Sequence, residues 1–135
     1  MVTIHIPRGL VASFRRIAKQ TYPNEAFAYL VGEVTARGVV VEGLAHPSYN
    51  ASPTAVNVSA SEHARLVKEV KPSRLVGTIH SHPEWSAEPS THDIRNAAQC
   101  GEVVYGVMAV WEEGGRLRTR CEFYLGTPPM KVKRT

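Results

Sequence analysis

The chain has 135 residues, enough for one domain, and its 43% hydrophobic content is sufficient for a core. No apolar run approaches the ~20 residues that span a bilayer, and the first residues lack the charged start and apolar block of a signal peptide. A helix that spans a membrane is therefore not expected, and a cytoplasmic protein is the default. The formal net charge of +4 comes from 16 basic and 12 acidic residues. Lys131, Lys133 and Arg134 near the end contribute to it, leaving the remainder close to balanced. No basic stripe interleaved with aromatics is present, so a nucleic-acid partner is not expected. Arg15, Arg16 and Lys19 read as a solvated helix face.

Residues 2–6 have the pattern of a short strand. Pro7 then suits a first helical turn. Leu10, Val11, Phe14, Ile17 and Ala18 follow on one helical face, which predicts an amphipathic helix ending before Pro23. Residues 25–34 and 38–45 are apolar around Thr-Ala-Arg-Gly and predict a hairpin. Residues 46–53, with Pro47 and Pro53, read as loop, and Val56–Val58 as a short strand. Ser59 and Glu62 form a capping-box pattern that opens a helix to about Lys71, closed by Pro72. A strand over 74–80, a loop over 83–89 and a helix from Ser90 to about Cys100 follow. Two strands, 103–111 and 117–125, flank Glu-Glu-Gly-Gly. Strands and helices mix without strict alternation, which indicates an α+β or mixed α/β fold. Residues 1–126 form the expected domain, and 127–135 a basic, flexible tail. Cys100 and Cys121 are too few for a disulfide framework and read as small buried residues. Whether they pair is left open.

The chemistry concentrates in residues 80–93, His-Ser-His-Pro-Glu-Trp-Ser-Ala-Glu-Pro-Ser-Thr-His-Asp. His80 and His82 sit two apart at a strand end, so both point to one face and Ser81 to the other. Asp93, the only aspartate in the chain, lies one helical turn in from Ser90. Two imidazoles and one carboxylate leave a tetrahedral ion with an open position, the pattern of a catalytic zinc. Each half alone has a plainer reading. A His-x-His pair is commonly coincidental, and Ser-x-x-Asp is also a helix start in which Ser90 caps and Asp93 favours the first turn. Together, on a single short stretch, they favour the metal. His5, His46 and His63 read as structural or surface residues. Trp85, Glu84 and Glu88 lie beside the ligands, where Trp85 either contacts substrate or covers the loop.

His-Ser-His-Pro followed by seven residues between His82 and Ser90, then Ser-x-x-Asp, resembles the signature of the JAMM (MPN+) zinc metalloproteases, the Mov34/PAD-1 or JAB-type family. That signature also needs an upstream glutamate in a Glu-x-x-Gly-x-Leu-x-Gly-like context. Glu25-Ala-Phe-Ala-Tyr-Leu30-Val-Gly32 matches its glutamate, leucine and second glycine, with Ala28 in place of the first. The resemblance covers about residues 1–125. It implies a cytidine-deaminase-like fold, a curved mixed sheet flanked by about three helices. It also implies one Zn²⁺ per chain on His80, His82 and Asp93, with Glu25 as general base and Ser90 stabilising the oxyanion.

The short chain resembles the compact prokaryotic and archaeal type, which implies cleavage after the Gly-Gly tail of a ubiquitin-like or sulfur-carrier protein in its conjugates. Two alternatives stand beside this. One is a peptidase that trims a sulfur-carrier C-terminus, or a phage-type accessory of the same fold. The other is a non-catalytic scaffold or binding module. No membrane partner is implied, and homodimer formation is left open.

Overall fold

The structure, a computed structural model, describes residues 3–83, 86–87, 104–125 and 130–132. In chain order its elements are β1 (Thr3–His5), α1 (Arg8–Thr21), β2 (Phe27–Thr35), β3 (Gly38–Ala45), β4 (Asn50–Ala51), β5 (Val56–Asn57), α2 (Ala60–Val70), a 3₁₀ turn (Pro72–Arg74), β6 (Leu75–His82), β7 (Val104–Glu113), β8 (Arg116–Leu125) and β9 (Met130–Val132). Seven strands make one mixed sheet in the order β1-β3-β2-β6-β7-β8-β9, and β4 pairs with β5 beside it. This is the expected α+β architecture. Two α-helices lie within the described residues, and the third expected helix, Ser90–Cys100, falls outside them. Among the described residues no helix is long and apolar enough to cross a membrane.

Helix α1 forms where the periodicity places it. Pro7 sits one position earlier than expected, as the residue that precedes the first turn, and its carbonyl accepts from Leu10 N and Val11 N. Val11, Phe14 and Ala18 are buried against one face of the sheet, with Leu10 and Ile17 packed at the margin. Phe14 is fully enclosed among Ile4, Leu30, Val41, Ile79 and Met108 as members of one cluster. Burying a side chain of this size contributes about 1.5–3 kcal/mol. Arg15, expected on a solvated face, is half-buried and donates from Nε to Thr119 Oγ1 at 3.0 Å, tying α1 to β8.

In α2, Ser59 Oγ accepts from Glu62 N at 3.1 Å, the first half of the expected capping box. The reciprocal half is redirected. Glu62 Oε1 accepts from Ser48 N at 3.0 Å and so fastens the 46–48 loop to the helix. The hydrogen bonds from Arg65 and then from the Ser48 amide hold the Glu62 carboxyl down at about 2.

The strand boundaries differ from expectation for local reasons. β8 starts at Arg116 and β7 reaches Glu113, because Gly114 and Gly115 (φ 58° and 77°) close a two-residue turn. The stretch 46–53, read as loop, contains β4, since Asn50 and Ala51 find partners in Asn57 and Val56. Three residues of the stretch read as a flexible tail, Met130–Val132, instead add strand β9 to the edge of β8. Gly32 sits where the β2–β3 register shifts, and a Cβ there would overlap the Val40 carbonyl. That close backbone approach is why the second glycine of the motif is a glycine.

Gly77, the third residue of β6, is equally constrained. A Cβ at this position would run into the carbonyl oxygen of Val104 on β7, its parallel partner. Gly77→Ala is therefore expected to cost about 1–3 kcal/mol and to lower the thermal midpoint by about 5–10 °C. Gly9→Ala, where nothing lies within 4 Å, should not lower it. Calorimetry on the two variants checks the contrast.

Candidate metal centre

Strand β6 is central, flanked antiparallel by β2 and parallel by β7. It runs two residues beyond the expected end because pairing with β7 continues to His82↔Ala109. Alternation then does what it predicts. Ile79 joins the cluster under α1, so His80 and His82 project to the opposite face, each only 8% exposed. In the ladder His80 lies between Phe27 and Val107. Val107 belongs to a second buried cluster with Tyr105 and Tyr124. The two imidazoles are thus set in an apolar wall, where an ion and its donors interact more strongly than in water. Tyr124 donates to Ala87 O at 2.7 Å, which holds one point of the segment after β6 against the sheet.

The Nε2 atoms of His80 and His82 are 3.0 Å apart, with ring centroids 4.7 Å apart and planes at 67°. Two imidazoles bound at about 2.0–2.1 Å to one tetrahedral zinc place their nitrogens roughly 3.3 Å apart. The pair therefore matches a shared ion. Glu25 completes the group: one carboxylate oxygen and the two imidazole donors all lie within 4.8 Å of one another, all three residues buried. Glu25 is 6% exposed. Two imidazole nitrogens and one carboxylate form a donor set suited to zinc.

Glu25 is not on β2, as the sequence suggested. The strand begins at Phe27 and the glutamate stands two residues before it. Its position is fixed by the backbone around it. Glu25 N donates to Ser52 O at 2.9 Å, and Phe27 N donates to Tyr49 Oη at 3.2 Å. Between them, Ala26 N donates to Ser81 Oγ at 2.7 Å, while Ser81 N donates to Ala26 O at 2.9 Å. These partners were not legible in the sequence. Strand alternation sends Ser81 to the face opposite the histidines and gives it no task, and Tyr49 and Ser52 fall in a stretch with the pattern of a loop. His63, read as structural or surface, meets Tyr29 Oη at 2.7 Å through Nδ1 and links α2 to β2.

Of the five residues expected at the site, the structure brings together Glu25, His80 and His82. Ser90 and Asp93 lie outside the described residues, as do Glu84, Trp85, Glu88, His92 and Cys100. In the sequence Ser90 and Asp93 both lie between the end of β6 and the start of β7.

A mixed sheet whose central strand ends in two facing imidazoles, with a buried carboxylate just ahead of the neighbouring strand β2 beside them, is the frame of a JAB/MPN domain. The chain belongs to that family: the model of prokaryotic homologues of the JAB domain matches residues 7–122.

Solved structures share the fold. A solution structure of a Desulfitobacterium hafniense protein is 20% identical, with a TM-score of 0.69 over 98% of this chain and 92% of that one. A JAB1/MPN domain protein from Archaeoglobus fulgidus is also 20% identical, with a TM-score of 0.58 over 99% of each chain. A third, described as a JAMM metalloprotease-like zinc site in the proteasome and signalosome, is 20% identical, with a TM-score of 0.55 over 100% and 98%. No curated protein matches the chain significantly.

Proposed function

We propose that the protein is a zinc-dependent peptidase or isopeptidase that cleaves after the Gly-Gly tail of a ubiquitin-like or sulfur-carrier protein. The observation that carries the reading is the buried cluster of two imidazoles, their nitrogens 3.0 Å apart, with the Glu25 carboxylate beside them. His80, His82 and Asp93 would hold the ion. It would supply Lewis acidity, lowering the pKa of a coordinated water toward ~7 and polarising a carbonyl. Glu25 takes the proton from the attacking water and returns it to the leaving amine, a task for a carboxylate held close to the reacting atoms. Ser90 donates its hydroxyl hydrogen to the oxygen that gains charge. Small glycine side chains at the cleaved end would pass the apolar wall around His80.

The zinc-site structure at 20% identity supports the fold of this reading, and the donor set supports its chemistry. The test is incubation of the zinc-loaded protein with linear and isopeptide-linked fusions of ubiquitin-like proteins, followed by mass spectrometry of the products. Release of a modifier ending in Gly-Gly is the expected result. Zinc bound at one per chain with neither fusion cut would overturn the protease reading and favour a scaffold.

A further inference from the structure

We infer that Ser81, the residue between the two histidines, is a positioning residue for Glu25. The inference rests on the proposed role of Glu25 as base.

The argument begins where β2 and β6 part. Their last regular pair is Phe27↔His80. One step further, an antiparallel ladder would exchange backbone bonds between Ala26 and Ser81, or pass them by. Here one bond is backbone, Ser81 N to Ala26 O at 2.9 Å. The reciprocal acceptor is the Ser81 hydroxyl, which takes Ala26 N at 2.7 Å. A side-chain oxygen has thus closed the final rung. Ala26 is fully buried and Ser81 is 1% exposed, so neither group has water as a substitute, and an unmet amide here would be costly.

The geometric consequence is direct. The strand that carries both metal-facing imidazoles on one side carries, on the other, the hydroxyl that anchors the peptide next to Glu25. Any shift of β6 moves the histidines and the Glu25 backbone together. Ser52 O on Glu25 N and Tyr49 Oη on Phe27 N hold the same segment from the β4 side. Ser81 is the contact that references it to the histidine strand. A general base misplaced by about 1 Å can cost about 100-fold in rate. Ser81 lies on the side of β6 away from the histidines and bonds the peptide next to Glu25, so it acts through Glu25.

The experiment compares wild type, Ser81→Ala and Ser81→Thr by three readings: zinc per chain by elemental analysis, hydrogen exchange of the Ala26 amide by NMR, and fusion cleavage. In Ser81→Ala, zinc should stay at one per chain and Ala26 exchange should quicken at least about tenfold. In the same variant kcat should fall about ten- to a hundredfold with KM little changed. Ser81→Thr, which keeps the hydroxyl, should restore both exchange and kcat. Unchanged Ala26 exchange, or unchanged kcat despite faster exchange, overturns the inference. Loss of zinc from Ser81→Ala also overturns it, because the serine would then act on the ligands. Quickened exchange in a protein whose wild type binds zinc but cuts nothing refutes the proposed activity instead, and leaves the Ser81–Ala26 contact standing.

Discussion

Glu25→Gln is expected to abolish fusion cleavage, lowering kcat by about 10²–10⁴-fold while zinc remains at one per chain. The amide has the size of the carboxylate and fits the same buried place, 6% exposed in the wild type, but it cannot take up a proton at neutral pH. The hydrogen bonds that hold the amides of residues 25–27 go to Ser52, Ser81 and Tyr49 and do not involve the Glu25 side chain. The exchange removes a base without removing the geometry. It also separates two roles that proximity alone does not. A carboxylate within 4.8 Å of both imidazole donors could serve as a ligand or as a base. As a base, its loss costs rate and spares the metal. As a ligand, its loss would release zinc along with activity. Zinc content and kcat measured on the same preparation decide between them. Cleavage undiminished in Glu25→Gln would remove the assigned base.

The parts legible in the sequence are those governed by a local period. The face of α1 follows from 3.6-residue spacing, and the common side of His80 and His82 from the two-residue spacing of a strand. Gly114-Gly115 named its own turn, although it drew two glutamates into β7 that had read as loop. Glu25 could be picked out only through the family resemblance. Nothing in residues 25–34 says that the strand starts at Phe27, because the acceptors for the amides of 25–27 come from positions 49, 52 and 81. The same non-local logic redirected the Glu62 carboxylate from its own helix cap to Ser48. It also gave Asn50–Ala51 and Met130–Val132 strand partners that no pattern inside those short segments announced. The imidazole pair was thus readable from one stretch of chain, whereas the placement of its carboxylate was a property of the assembled sheet.

His80→Ala/His82→Ala is expected to leave the protein folded and zinc-free. Both side chains project from the face opposite the α1 core, and neither belongs to the main buried cluster. The ladder bonds of β6 to β2 and β7 are backbone bonds that alanine keeps. What the substitution removes is the pair of nitrogens at 3.0 Å. Disturbing groups that merely orient metal ligands typically costs 10–100-fold in affinity, so losing two ligands should weaken zinc by more than about 100-fold. The effect can be read without any substrate. A ligand that binds only the folded state adds about 2.7 kcal/mol at 100 times its Kd. A chelator should therefore lower the thermal midpoint of the wild type by about 5–10 °C and leave the double variant where it is. If the double variant kept one zinc per chain and the same chelator response, the ion would be held elsewhere, and His80 and His82 would not be its ligands. A folded double variant that is indifferent to chelation would instead tie the ion to this pair, whatever substrate the site serves.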